Sequence, residues 1–254
     1  MNINWDAKKY TENFAFVHEY GKDVLQLLNL EAGMSVLDLG CGNGALTRQL
    51  CDMGMKAYGI DASEHQILEA KSLYPDLEFH QADAACFTVL DPVDAVFSNA
   101  VFHWIEKERQ PQVLDCVYRA LKPGGQFVFE MGGLGNTCQI HGALEDAFQR
   151  RGRNYTMPFY FPSIGEYGSL VESAGFRLTM AMLFPRLTPL KGEDGMAGWI
   201  RQFIKVPFQN MEEKMKEEIV CEAAESLREN LYRDGTWYAD YVRLRCRAVK
   251  ITDS

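Results

Sequence analysis

The sequence predicts an α/β fold: a seven-stranded, mostly parallel sheet with helices on both faces and a helical lid insert before the last strands. Three observations carry that expectation. Short apolar runs alternate with helical patterns from residue 35 to 133. The first run, "VLDLGCGNGAL" at 36–46, enters three glycines within five positions, as a strand turning tightly into a helix requires. After residue 133 the alternation breaks down, and a closing strand pattern returns at 238–250. Strands separated by helical connections imply right-handed crossovers and hence parallel pairing.

The elements follow in order. Phe14, Val17, Val24, Leu25, Leu27 and Leu28 recur at helical spacing, predicting a helix over 10–30. A buried strand at 35–39 leads through the glycines to a helix ending near 53. "KAYGID" (56–61) is a second strand, and 62–75 a second helix, with Ser63 and Gln66 as a capping box and Pro75 as its stop. "LEFHQAD" (77–83) and "DAVFSNA" (94–100) are strands three and four. A helix over 110–125, ended by Pro123 and two glycines, precedes a fifth strand at 126–133. Helices are then expected at 136–151, 164–176 and 211–231, an aromatic loop at 154–163, and strands at 177–184 and 238–250. Two regions result: residues 1–135 as a ligand-binding core with its N-terminal helix, and 136–254 as a helical and aromatic lid insert plus the final strands of the same sheet.

Bulk properties narrow the function. A net charge of −9 disfavours nucleic acid and anionic membrane as partners, since both need clustered Lys and Arg. The first residues, "MNINWDAKKY", carry no apolar run of signal-peptide length, and no uninterrupted apolar segment reaches membrane-spanning length; cytoplasm is the expected compartment. Seven scattered cysteines without a C-x-x-C pair, and five histidines without H-x-x-x-H spacing, give no disulfide framework and no local metal site.

The glycine turn by itself leaves its ligand open, because Gly40, Gly42 and Ala45 also satisfy the dinucleotide fingerprint G-x-G-x-x-A. Charge separates the candidates. A pyrophosphate would sit on the helix N-terminus, and Asp38, two residues before the first glycine, would repel it. An ammonium or a sulfonium would be attracted. Asp61, about 20 residues past the glycines, is placed for ribose hydroxyls, and Asp83, ending the third strand, for an adenine amino group. Three acids at three adjacent strand ends suit S-adenosylmethionine better than a nicotinamide dinucleotide.

"VLDLGCGNG", "GID", "QAD" and "LKPGGQFVFE", in this order and spacing, resemble the class I S-adenosylmethionine-dependent methyltransferases, with their Rossmann-like sheet. "NFAFVHEYGKDVLQLL" and "FSNAVFHWI" further resemble the small-molecule branch around trans-aconitate methyltransferase. The resemblance covers residues 10 to 135 and loosens beyond. It implies that Asp38, Gly40 and Gly42 hold the methionine end of the donor, Asp61 with Ala62 the ribose, and Asp83 with Ala84 the adenine. Asn99 would lie near the amino-acid part and the methyl, and Tyr10 and Phe14 on a helix folding over the donor.

The expected reaction is in-line methyl transfer to a small, carboxylate-bearing acceptor, for which the protein supplies alignment and exclusion of water. A base is needed only for a protonated nucleophile, and His103 in "NAVFHWI" is the candidate. Trp104 and the aromatics of "NYTMPFYF" and "GTWYADY" are candidate pocket walls, and Arg151 and Arg153 candidate partners for an acceptor carboxylate. The run after strand four lacks the N-P-P-Y-type signature of enzymes that methylate amide or nucleobase nitrogens, which again disfavours nucleic acid. The expected assembly is a monomer or a homodimer. The rival readings are a donor-binding module without turnover and a nicotinamide-dependent oxidoreductase.

Overall fold

Valine and leucine fill β1 (Ser35–Leu39) because both of its faces are covered. Val36 packs with Leu46 and Leu50 of α1 (Ala45–Asp52), while Leu37 and Leu39 join the opposite cluster with Val113, Leu114 and Val117 of α3 (Gln110–Ala120). The computed structural model describes residues 21 and 23–251. Between those elements run β2 (Lys56–Asp61), α2 (Glu64–Leu73), β3 (Phe79–Gln81) and β4 (Val93–Asn99). Then come β5 (Leu121–Gly132), α4 (Cys138–Gln149), α5 (Ile164–Ser173), β6 (Phe176–Leu190) and α6 (Gly195–Phe203). The chain closes with α7 (Glu213–Ser226), α8 (Arg228–Leu231), β7 (Tyr232–Arg233) and β8 (Thr236–Lys250).

The sheet order is β3-β2-β1-β4-β5-β8-β6, with β7 paired to β8 alone. Strands β1 to β5 are mutually parallel, and β8 inserts antiparallel between β5 and β6. Because β2 and β4 flank β1, the topology switches direction there, and a crevice opens beyond the carboxyl ends of β1 and β4. Strand β7, absent from the sequence expectation, forms a hairpin with the start of β8, turned by Asp234 (φ 48°) and Gly235 (φ 78°). Asp-Gly is a favoured pair for such a turn.

Other departures have local causes. The helical segment that includes residues 23–25 stops at Leu25, short of residue 30, because Gln126 takes over the backbone of Asn29: its Oε1 accepts the Asn29 N–H at 2.9 Å and its Nε2 donates to the Asn29 carbonyl at 2.7 Å. Helix α3 ends at Ala120, not 125, and β5 already begins at Leu121, pairing with Val93 before the register shifts to Ala95 and Gln126. Pro123 disfavours helical geometry at Lys122, and Gly124 adopts φ 75°, so the chain bulges there. Strand β6 runs to Leu190, six residues beyond the expected end, because β8 pairs along its whole length.

The region after residue 135 divides between two cores. Helix α5, expected in the insert, packs Tyr167 and Val171 into the sheet core, and the Tyr167 hydroxyl donates to Gln110 Oε1 at 2.8 Å. Helices α4, α6, α7 and α8 form a separate cluster around Leu144, Phe148, Trp199, Ile200, Ile219 and Trp237. Helix α6 went unexpected because Gly195 and Gly198 lower its intrinsic propensity; burial of Met196, Trp199 and Ile200 on one face holds it. Among the described residues, no helix is long and apolar enough to cross a membrane.

Candidate active site

The three glycines after β1 have different duties. A Cβ on Gly40 (φ 78°) would lie 2.2 Å from Val101, and one on Gly44 (φ 82°) 2.5 Å from Phe79, so both positions are fixed by packing. Gly42 (φ 54°) meets nothing nearer than Gln66 Oε1 at 3.7 Å. Its bare backbone borders a cleft of about 530 Å³, a volume ordinary for a small-molecule site.

Gly40, Gly42, Asp61, Ala62, Asp83, Ala84 and Asn99 all line this cleft. Asp38 does not. It is 1% exposed, and its Oδ2 accepts the Thr47 hydroxyl at 2.6 Å, so it stands behind the cleft wall rather than in it. Tyr10 and Phe14 lie outside the described residues. Arg109, which the sequence did not single out, joins the cleft wall and donates from Nη2 to Asp83 Oδ2 at 2.8 Å. That guanidinium and the Ala85 N–H outweigh the effect of burial and hold the Asp83 carboxyl below its usual range.

The acids nearest the turn are perturbed the other way. Burial pushes Asp61 up, although its two oxygens accept N–H bonds from Ser63 (2.8 Å) and Gly42 (3.0 Å). Burial raises Asp38 from 3.8 to about 7, against the Thr47 bond and with a contribution from Asp61. Neither carboxylate has a cationic partner among the described residues. A positively charged ligand would relieve both, whereas a diphosphate would add a third negative group.

A stability prediction follows for Asp38. Its folded pKa lies above its unfolded value, so its contribution is full below about pH 4 and is lost as pH rises through about 7. Asp38→Asn keeps an acceptor for Thr47 and cannot ionise. Its melting temperature is therefore expected to gain on the wild type as pH rises from 5 to 8.5; a difference constant across that range would refute the assignment.

A second cavity, narrower at about 60 Å³, adjoins the first, and Asn99, Ala100 and Trp104 line both. Ala100 adopts φ 61°, unfavourable for a residue with a side chain, and its N–H donates to the Glu130 carbonyl at 2.7 Å. Trp104, Phe159, Phe161, Trp199, Phe203 and Tyr241 give the inner cavity aromatic walls, with Phe159 and Phe161 stacked at 5.4 Å.

At its floor stands Glu130, 1% exposed, within reach of three guanidiniums. Arg186 binds it through two nitrogens (2.7 and 2.9 Å), Arg245 through Nε (2.8 Å) and Nη2 (2.7 Å), and Arg243 through Nε (3.2 Å). Burial alone would raise the Glu130 carboxyl; the arginines, Arg243 foremost, overcome it and hold the carboxyl down. The arginines expected from sequence stand elsewhere. Arg151 pairs with Glu222 at 2.6 Å and Arg153 is exposed, and neither lines either of these two cavities.

Residues 36–125 match the family profile described as a methyltransferase domain. An uncharacterized methyltransferase of Schizosaccharomyces pombe is 31% identical across 97% of this chain and 98% of its own length. The chain belongs to the class I S-adenosylmethionine-dependent methyltransferases. The dinucleotide reading of the glycine turn falls with that assignment. A trans-aconitate 2-methyltransferase of Azoarcus is also 31% identical, over half of this chain and half of its own length. The structure of Haemonchus contortus phosphoethanolamine N-methyltransferase 2, solved with phosphomonomethylethanolamine and S-adenosylhomocysteine, shares the fold at TM-score 0.58 and 18% identity, over 92% of this chain and 53% of that one.

In this methyltransferase His103 is not arranged as the base that the sequence suggested. The Gly132 backbone N–H donates to its Nδ1 at 3.2 Å. A backbone N–H cannot accept, so Nδ1 carries the lone pair and the neutral ring keeps its proton on Nε2. Burial, aided by Arg243, also lowers the His103 pKa well below the usual value. The ring on the methyltransferase's inner wall is thus a neutral hydrogen-bond donor. Among the described residues, no group of three or more His, Cys, Asp and Glu is placed to hold a metal.

Proposed function

We propose that the methyltransferase holds its donor in the larger cleft and a small, carboxylate-bearing acceptor in the aromatic cavity beyond Ala100. The single observation behind this reading is that Asn99, Ala100 and Trp104 line both cavities, so two ligands would meet at that wall. Gly40, Gly42 and the charge of Asp38 would hold the methionine end of the donor, Asp61 with Ala62 the ribose, and Asp83 with Ala84 the adenine. Asn99 would lie beside the amino-acid part, with Tyr10 and Phe14 folding over the donor.

The donor, when bound, supplies a methyl group on a positively charged sulfur. The chain's own work is alignment and exclusion of water: the Asn99–Trp104 wall sets the approach, and the aromatic rings keep the acceptor side dry. An ionised carboxylate needs no base, which agrees with a neutral, proton-bearing His103. Residues 1–135 act in this reading as the donor-binding half. Residues 136–254 complete the sheet and close the acceptor side, with the cluster of α4, α6, α7 and α8 as the lid.

Transfer of labelled methyl from S-adenosylmethionine to a panel of small acids and their amides tests the reading. The panel includes trans-aconitate, the acceptor in the Azoarcus relative's name. Label is expected in alkali-labile esters of free acids. Label appearing only in amines or nucleic acid would overturn it.

A further inference from the structure

The three guanidiniums around Glu130 are not equally satisfied. Arg186 and Arg245 each give it two nitrogens, but Arg243 gives only Nε. The terminal nitrogens of Arg243 have no hydrogen-bond acceptor among the described residues, although the side chain is only 10% exposed. A guanidinium so enclosed is costly unless its donors find acceptors. Those two nitrogens are also not sealed inside protein, and Arg243 lines the aromatic cavity. An accessible, unpaired fork thus belongs to a side chain that borders that space.

The geometry points to Arg243 as the residue that selects the acceptor by its negative charge: its terminal nitrogens bind a planar carboxylate on a flat, aromatic or unsaturated body. This rests on the aromatic cavity being the acceptor site. The planar fork matches a carboxylate in two parallel bonds, and the Arg243 guanidinium lies over the Tyr241 ring at 5.6 Å, so it is braced from one side while Glu130 holds Nε. In this reading the donor's own carboxylate lies in the larger cleft, which Arg243 does not line. Position agrees. Arg243 pairs with Gly132 and Asn99 pairs with Glu130, which sets the anchor two strands from the wall where donor and acceptor meet, on the order of 10 Å. That span suits a small acceptor whose carboxylate enters the inner cavity, too small at about 60 Å³ to enclose a whole ring, and whose body reaches back across the shared wall toward the donor.

Benzoate and benzamide, equal in shape and different in charge, are the probes. Calorimetry on protein saturated with S-adenosylhomocysteine is expected to show benzoate binding at least tenfold more tightly than benzamide. Arg243→Gln should remove that preference, and Arg243→Lys should keep part of it. Both variants leave Glu130 with Arg186 and Arg245, so the fold is expected to survive, and S-adenosylhomocysteine affinity should change less than twofold. A preference that survives Arg243→Gln, equal binding of the two probes by the wild type, or no benzoate binding at millimolar concentration would each overturn the assignment. Failure of S-adenosylhomocysteine to bind the wild type would instead count against the donor site, a separate result.

Discussion

Asp61→Asn is expected to weaken S-adenosylhomocysteine binding at least tenfold while the protein stays folded. An ionised carboxylate offers about four lone-pair sites. Two of those on Asp61 are taken by the Gly42 and Ser63 N–H groups, which leaves two for the ribose hydroxyls. An amide can keep only one oxygen in place, so its NH₂ would face one of those N–H donors. The variant loses charge-assisted bonds to the ligand, each worth about 1.5–3 kcal/mol, and disturbs the loop that presents them. The loss is local to the turn, since Leu37, Leu39 and Ile60 keep their burial without it. Calorimetry with circular dichroism on the same samples checks both halves. Affinity within twofold of wild type in a folded variant would remove Asp61 from the ribose role. Because burial raises the Asp61 pKa, donor affinity should also decline as pH falls through the mildly acidic range and the carboxylate is neutralised.

The contrast between the two cavities shows what a sequence can disclose. Gly40, Gly42, Asp61, Asp83 and Asn99 sit at strand ends, and a parallel sheet brings successive strand ends to one edge. Recognising the strands was therefore enough to gather those residues. Asp38 was placed by the same logic, yet it turned inward, because the strand's alternation and Thr47 on α1 decide where a side chain goes. The inner cavity obeys no such rule. Its floor joins Glu130 to Arg186, 56 positions on, and to Arg243, 113 positions on. Those residues meet because β8 returns antiparallel between β5 and β6, a step beyond the part of the chain with a regular βα pattern. Arg151 and Arg153 were as plausible as Arg243 in one dimension; only the neighbouring Glu222 distinguishes a surface pair from a cavity wall. One signal was available. Glu130 interrupts the apolar run over 127–131, and an ionised acid at a buried position is costly without a cation or hydrogen-bond donors beside it. His103 depends on a distant contact in the same way: the residue type suggested a base, while the proton's location depends on the Gly132 N–H, 29 positions away.

Glu130→Gln is expected to be the most damaging single substitution at either cavity. The wild-type cluster sets three guanidiniums, 10–13% exposed, around one carboxylate, and each of them pairs directly with that acid. Removing its charge leaves three enclosed cations that repel one another, and breaking a buried pair by deleting one partner costs about 3–5 kcal/mol. For a chain of this size that corresponds to a fall in melting temperature of roughly 6–20 °C. The pH dependence has the opposite sign to that of Asp38. The Glu130 pKa is held below its unfolded value of 4.5, so its contribution is present above that value and is lost as pH falls through the lower folded one. The gap between wild type and Glu130→Gln should therefore be widest near neutrality and narrow in strong acid. Two further results separate electrostatics from simple loss of shape. Sulfate should recover part of the loss in Glu130→Gln by supplying an anion to the cluster. Adding Arg245→Met should cost less in the variant than in the wild type, because a repelling cation departs. If the two substitutions are additive and sulfate has no effect, the cluster acts through packing alone, and the charge that Arg243 offers to an acceptor would need another source of support.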